Sequence, residues 1–174
     1  TQSNNVICSG FYNDQDNEVL KGLFYFEIDN SGAVVRKNNK DFPQEFVEEF
    51  KKNKGTKKDK KNNDDDDLGL AKSFRIDNIH ARPDGGAYLI SEFYQLVITT
   101  SSKGYTTYHY YSNDIIVVNI GVDGTIDWFH RIPKRQHEIN QYKYSSYLSM
   151  VSNGKLFVLF NDNPRNLEID DDEK

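Results

Sequence analysis

The chain contains very little of what would place it among disulfide-bonded or membrane-spanning proteins. Cys8 is the only cysteine in 174 residues, which excludes an intrachain disulfide, and its apolar strand pattern predicts a small buried side chain. No apolar run approaches the length of a membrane span, and no signal peptide is recognisable. The chain has one Met and one Trp, but it is rich in Phe and Tyr, with 11 of each. Aromatic residues favour half-buried sheets, so an all-β fold is expected.

Positive charge is concentrated in one segment. The net charge is −5, and seven lysines between residues 51 and 61 are followed directly by four aspartates at 64–67. A nucleic-acid-binding surface needs a broad basic face, which an acidic chain with one self-neutralised lysine cluster does not provide. Nucleic acid is therefore not expected among the partners, and residues 54–67 are predicted to be a disordered linker.

Two pairs of similar segments indicate an internal repeat. Val6–Tyr12 aligns with Tyr88–Tyr94, 82 positions further along, and Leu23–Gly32 aligns with Ile115–Gly124 at a shift of 92. Each copy reads as strands separated by tight turns, and Asp123-Gly124 is a strong hairpin signal. The strands predicted for the second copy are Phe74–Arg82, Ala87–Ile98, Asp114–Ile120 and Thr125–Ile132.

The repeat predicts an incomplete β-propeller of four-stranded antiparallel blades within a single domain, residues 1–174, with a β-sandwich as the alternative. A partial first blade spans 1–40, an inserted helix and disordered linker 41–72, the second blade 73–133, and the start of a third blade 144–174. This is roughly two and a third blades, whereas a closed propeller needs at least about four. The chain is therefore expected to be a fragment of a ring.

One helix is expected between the first two blades. Asp41 precedes Pro43, as at many helix N-termini, and Phe46, Val47 and Phe50 follow at helical spacing. The pattern predicts a short amphipathic helix from about Pro43 to Lys52, packed against the blades.

The segment Asp123-Gly124-Thr125-Ile126-Asp127-Trp128 resembles the tryptophan-docking repeat of quinoprotein-type propellers and of outer-membrane-assembly propeller lipoproteins. In that family the Trp packs between adjacent blades, which implies that Gly124 and Trp128 dock one blade on the next. The first copy departs from the motif, because Arg36 stands where Trp128 does. The resemblance implies a periplasmic or cell-surface location in a bacterium and leaves a quinone-dependent dehydrogenase as one alternative activity. It carries over no cofactor-binding residue.

The connections between strands predict a functional face. In a meander, successive connections alternate between the two ends of the strands. The tight turns expected at one end are Asp29–Gly32, Pro83–Gly86, Gly121–Gly124 and Ser152–Gly154. The long loops expected at the other end are 13–21, 37–72, 99–113 and 133–143. Long loops on a rigid scaffold usually carry binding, so the long-loop end is the predicted functional face.

One of these loops holds the candidate binding residues, which are Tyr105, Tyr108, His109, Tyr110 and Tyr111. Tyrosine offers rigid amphipathic contact area for a protein partner or for stacking on sugar rings, although the same residues could instead pack the loop. The leading prediction is a non-enzymatic protein-interaction scaffold. A carbohydrate-binding or carbohydrate-active propeller is the alternative.

No residue pattern indicates catalysis or a metal site. The histidines, His80, His109, His130 and His137, have no second ligand at a spacing typical of zinc. The sequence shows no nucleophile elbow, phosphate-binding glycine loop or carboxylate pair. No catalytic residue, metal or cofactor is therefore predicted.

Overall fold

The computed structural model describes residues 5–13, 19–52, 70–71 and 73–162. These residues form eleven strands and one helix, and every strand pair is antiparallel, which confirms the all-β class. The strands are β1 (Val6–Tyr12), β2 (Val19–Leu20), β3 (Gly22–Ile28), β4 (Val34–Asp41), β5 (Leu70–Ala71), β6 (Phe74–Ala81), β7 (Ala87–Thr100), β8 (Thr106–Ile120), β9 (Ile126–Ile139), β10 (Tyr147–Ser152) and β11 (Lys155–Phe160). The helix is α1 (Gln44–Lys52). The predicted disordered linker lies outside the described residues.

The strands form three main sheets in chain order. The first sheet has the order β1-β3-β4, the central sheet β6-β7-β8-β9, and β10 and β11 form a hairpin. The short strands β2 and β5 pair with each other. The two predicted repeat copies thus lie in different sheets, and none of the sheets in the described part of the chain closes into a barrel.

The central sheet is covered on both faces. The run Ile115–Val118 is buried, as predicted for a strand with two buried faces. What we call the first face of the central sheet packs against the first sheet and α1. Its side chains are Leu89, Ile116, Val118 and Ile120, and the side chains that pack on them are Leu23, Tyr25, Phe46 and Val47. The second face packs against the hairpin, through Ile90, Ile115 and Val117 opposed by Tyr147, Leu156, Val158 and Phe160. The core is therefore two layers of apolar side chains, one on each side of a single sheet.

The predicted amphipathic helix is confirmed. It begins at Gln44, directly after Pro43, and ends at Lys52. Phe46 and Val47 are buried, and the Phe46 ring lies 5.6 Å from the ring of Phe129 on β9. The apolar side of the helix thus closes the layer on the first face.

Neighbouring sheets contact each other through matching strands. Lys40 on β4 donates from Nζ to the backbone carbonyls of Ile126 and Asp127 at the start of β9, both at 2.8 Å. His80 on β6 and Ser149 on β10 are joined by a 2.8 Å hydrogen bond between Nε2 and Oγ. The last strand of the first sheet, β4, therefore lies beside the last strand of the central sheet, β9. The first strand of the central sheet, β6, lies beside β10 of the hairpin.

The strand pairing of the first sheet reproduces that of the central sheet. Glu27 pairs with Arg36 and Asn119 pairs with Trp128, and in both sheets a register shift follows directly, between Glu27 and Ile28 and between Asn119 and Ile120. Arg36 and Trp128 thus occupy the same position in their sheets, as the alignment at a shift of 92 predicts.

The other alignment is wrong by one residue. Val6 pairs with Ile28, whereas Ile120, the equivalent of Ile28, pairs with Ala87 and not with Tyr88. The structural shift between β1 and β7 is therefore 81 positions rather than 82. A slip of one residue exchanges the two faces of a strand. The sequence did not distinguish the two registers because both faces of these strands carry apolar residues.

The tight turns form as predicted, but a fifth connection is also tight. Residues 29–33, 82–86, 101–105 and 121–125 share one backbone hydrogen-bond pattern. The carbonyl of the first residue accepts from the N–H of the fourth, and the N–H of the first donates to the carbonyl of the fifth. The prediction of a long loop at 99–113 is therefore wrong, because β7 and β8 continue as a paired hairpin up to the turn at 101–105. Similarly, β9 extends to Ile139, so the predicted loop at 133–143 begins only after that residue.

Candidate functional site

The paired ends of β7, β8 and β9 form a three-stranded ribbon, residues 94–100, 106–113 and 134–139, that continues beyond the rest of the central sheet. The last pair between β6 and β7 is Phe74 with Phe93, so β6 does not support the ribbon. Register shifts between Glu92 and Tyr94 and between Asn113 and Ile115 mark its base. Bulges of this kind bend strands and increase their twist, and these two mark where the ribbon leaves the rest of the sheet.

A buried ion pair lies at the base of the ribbon. Lys134 and Glu92 have fully buried side chains, and the ammonium of Lys134 lies 2.8 Å from Glu92 Oε1. The same ammonium donates to the backbone carbonyl of Ser112 and to Gln136 Oε1, each at 2.8 Å. Burial lowers the pKa of Lys134, although Glu92 acts in the opposite direction. Three acceptors for three N–H donors satisfy the charge completely, and they tie all three ribbon strands together.

The second oxygen of Glu92 connects this pair to the hairpin. Glu92 Oε2 accepts a hydrogen bond from Ser146 Oγ at 3.2 Å and lies 3.6 Å from Arg75 Nη2. Arg75 also bonds Asp77 and lies 4.2 Å from the centre of the Tyr94 ring. Polar contacts thus link the base of the ribbon to β6 and to the segment that precedes β10.

One side of the ribbon, which we call the tyrosine face, consists of Leu96, Ile98, Tyr108 and Tyr110. Leu96 pairs with Tyr110 and Ile98 with Tyr108, so the four side chains form one patch. Leu96, Ile98 and Tyr108 are exposed, Ile98 to 56%. Large apolar side chains therefore face solvent on a part of the chain that is held rigidly by strand pairing.

The opposite side, the histidine face, consists of Val97, His109, Tyr111, His137 and Ile139. The rings of Tyr111 and His137 are parallel, with centroids 4.4 Å apart, and the ring of His109 stacks on His137 at 5.3 Å. Nδ1 of His109 lies 3.1 Å from Nε2 of His137, within hydrogen-bonding distance. The stack fills this face with three rings in contact and leaves Ile139 exposed at its edge.

The segment after β9 folds back onto the tyrosine face. Tyr142 lies between Tyr94 and Tyr110, with ring centroids 5.8 Å and 5.6 Å away. Glu138 accepts hydrogen bonds from the backbone N–H groups of residues 143–145 and from Ser145 Oγ at 2.7 Å. These bonds hold the pKa of Glu138 below its usual range, because they favour the charged carboxylate.

The candidate binding residues predicted from the sequence all belong to the ribbon or its tip, but they do not form one surface. Tyr105 lies in the terminal turn and is 73% exposed. Tyr108 and Tyr110 lie on the tyrosine face, and His109 and Tyr111 on the histidine face. Sequence reasoning missed the ribbon residues from the neighbouring strands, which are Leu96, Ile98, His137, Ile139 and the adjacent Tyr142. The available signal was the apolar, β-branched run Leu96-Val97-Ile98, which is typical of a strand.

The two residues predicted to dock one blade on the next lie in different surroundings. Gly124 has a φ of +79°, and a Cβ there would lie 2.5 Å from Cε1 of Tyr25 in the first sheet. Trp128 is 43% exposed and lies 6.3 Å from the Tyr88 ring on the second face. Gly124 therefore contacts the neighbouring sheet directly, whereas Trp128 contacts a residue of its own sheet.

A scan of protein-family models and searches of curated proteins and of solved structures found no match to this chain. Among the described residues, no three His, Cys, Asp or Glu side chains converge on a position that could hold a metal ion. In the same part of the chain, no helix is both long and apolar enough to cross a membrane. The proposed function therefore rests on the geometry of the described residues.

Proposed function

We propose that this chain is part of a non-enzymatic β-propeller scaffold that binds a protein partner through the ribbon. The observation that carries the proposal is the exposed patch of Leu96, Ile98 and Tyr108 on the ribbon. Strand pairing holds the ribbon together, and the buried ion pair of Lys134 and Glu92 anchors its base. Exposed aromatic and aliphatic side chains on a rigid element are typical of protein interfaces, because few degrees of freedom are lost on binding.

The order of the sheets supports the propeller. Blades of a propeller stack in chain order around an axis, with equivalent strands adjacent. The contacts of β4 with β9 and of β6 with β10 are of that kind, since each joins a strand to its counterpart in the next sheet. A sandwich alternative would pair two sheets, whereas this chain has a third β element on the far side of the central sheet.

The contacts of Arg36 support a docking role for Trp128. Arg36 holds the position in the first sheet that Trp128 holds in the central sheet, and its Nη1 donates to the carbonyl of Val122 at 3.0 Å, in the turn of the next sheet. By this equivalence, Trp128 would make the corresponding contact with the turn of an adjacent blade.

Site-specific photocrosslinking tests the ribbon as a protein-binding surface. A photoreactive phenylalanine analogue replaces Tyr108 on the tyrosine face, and in a control variant it replaces Val122, which is exposed in the turn at the other end of the sheet. We expect one discrete crosslinked protein from position 108 and none from position 122. The crosslink should disappear when Ile98→Glu is added, because that charge would be buried in the interface.

Equal crosslinking from both positions, or a crosslink that survives Ile98→Glu, would contradict the proposal. Far-UV circular dichroism of each variant confirms that the fold is retained. Ile98 is largely exposed, so the substitution disturbs no internal packing.

Exposed tyrosine rings favour a glycan as the second candidate ligand. Tyr105 and Tyr144 are the most exposed aromatic residues in the described part of the chain, and tyrosine rings can stack on sugars. A glycan array with the intact chain, compared with a Tyr105→Ala, Tyr144→Ala double variant, separates the two ligands. Binding to a defined glycan that the double variant loses would replace the protein partner.

A further inference from the structure

Within the part of the chain that the structure describes, the hairpin of β10 and β11 leaves one apolar face exposed. Its inner side chains pack on the second face of the central sheet, so the alternating ones point away from it. Leu148 pairs with Leu159 and Met150 with Phe157, and all four side chains are exposed. We call this patch the outer hairpin face. Four adjacent large apolar side chains on one side of a hairpin form the kind of patch that a second surface normally covers.

The first sheet also has an apolar outer face, which within the described residues packs on neither of the other two main sheets. Leu23 and Tyr25 point to the central sheet, so the alternating residues of the paired strands point outward. This outer first-sheet face is formed by Val6 and Cys8 on β1 and by Phe24, Phe26 and Ile28 on β3. Val6 is 58% exposed, and the other four side chains are partly buried.

The outer first-sheet face and the outer hairpin face lie on opposite sides of the stack of sheets. With the corrected register, Val6, Phe26 and Ile28 are equivalent to Ala87, Val118 and Ile120 on the first face of the central sheet. In the central sheet that face receives the preceding sheet. The inner face of the first sheet packs on the central sheet, and the second face of the central sheet packs on the hairpin. The outer hairpin face is the next face in this series, because it points away from the central sheet.

We propose that two copies of this chain associate head to tail, with the outer hairpin face of one copy packed on the outer first-sheet face of the other. The contact repeats the stacking already present inside each chain. A head-to-tail interface closes into a ring when the rotation per unit allows it. Two copies together contain two first sheets, two central sheets and two hairpins. If each of these six counts as a blade, their number lies within the range of about four to eight blades found in closed propellers. This inference uses different residues from the ribbon and does not depend on what the ribbon binds.

Sedimentation velocity of the 174-residue chain tests the association. We expect a dimer for the natural sequence and monomers for Leu159→Glu and for Val6→Glu, each of which places a charge in one of the two faces. Burying an unpaired carboxylate should weaken the association about a hundredfold or more. The matched control is Ile98→Glu, because Ile98 and Leu159 are exposed to 56% and 54%. It should remain dimeric.

Mixing the two variants tests the head-to-tail geometry. Leu159→Glu keeps an intact first-sheet face and Val6→Glu an intact hairpin face, so an equimolar mixture should form an open heterodimer although neither variant dimerises alone. Heterodimer formation also shows that both variants are folded. A monomeric natural chain, a dimer that Ile98→Glu disrupts, or a mixture that stays monomeric would each overturn the proposal.

Discussion

Lys134 and Glu92 form an ion pair with a 2.8 Å contact between side chains that are both fully buried. They lie at the bulged base of the ribbon, where β7, β8 and β9 leave the covered part of the sheet. The pair therefore connects the compact part of the molecule with the surface proposed to bind a partner. Its removal should affect both stability and the ribbon.

Lys134→Met should destabilise the chain by about 3 kcal/mol, because Glu92 would keep its charge in a buried position with only the partly exposed guanidinium of Arg75, 3.6 Å away, as counter-charge. Urea unfolding followed by circular dichroism measures this difference. The double variant Glu92→Leu, Lys134→Met should lose less than Lys134→Met alone, since neither buried charge remains. A double variant that is less stable than Lys134→Met would show that the hydrogen bonds, and not the charges, dominate.

Gly124→Ala should be more destabilising than Gly104→Ala. Both glycines have positive φ values, +79° and +83°, so each substitution costs about 1 kcal/mol in backbone strain. Only at Gly124 would the added Cβ also overlap the Tyr25 ring of the neighbouring sheet, since nothing lies within 4 Å at Gly104. Comparison of the two unfolding midpoints isolates the contact between the sheets. Equal midpoints would mean that the first sheet moves away without cost.

Residues 143–145 should lose their hydrogen bonds to Glu138 in acid. Hydrogen bonds lower the folded-state pKa of Glu138, so their stabilising effect is complete above the unfolded-state value of about 4.3 and is lost as the pH falls through the lower folded-state value. The amide resonance of Ser145 followed by NMR between neutral and acidic pH reports this change. Glu138→Gln should remove the pH dependence of that resonance.

Lys40→Ala should weaken the docking of the first sheet. The Lys40 ammonium donates to two backbone carbonyls of β9, and hydrogen bonds from charged groups contribute about 1.5–3 kcal/mol when they are shielded from water. Lys40 is partly exposed, so a loss of about 1 kcal/mol is expected in urea unfolding. Lys37→Ala is the control, because Lys37 lies on the exposed, outward side of the same strand. An equal loss for both variants would count against the contact.

Local signals in the sequence were sufficient for many elements. The strands around Asp123-Gly124, the hairpin around Ser152–Gly154 and the helix after Pro43 all form as predicted. Each depends on interactions between residues close in sequence, such as positive-φ glycines in turns and helical spacing of Phe46, Val47 and Phe50. The candidate site was predicted only in part, because the segment around Tyr108 was interpreted as a loop.

The ribbon illustrates why the rest was not predictable. Its middle strand, residues 106–113, contains only tyrosine, histidine and smaller polar residues, so its sequence pattern is that of a polar connection. Its strand conformation depends on pairing with β7 and β9, which supply Leu96 and Ile98 on one face and His137 and Ile139 on the other.

The sequence by itself determined that the chain is built from strands, where four of its tight turns lie and where its single described helix begins. Only the tertiary structure decided which residues share a surface and which of two registers joins β1 to β3. The reason is that turns and helices form through short-range backbone bonds, whereas strand register and sheet stacking depend on partners tens of residues away. A one-residue change of register moves every side chain to the opposite face.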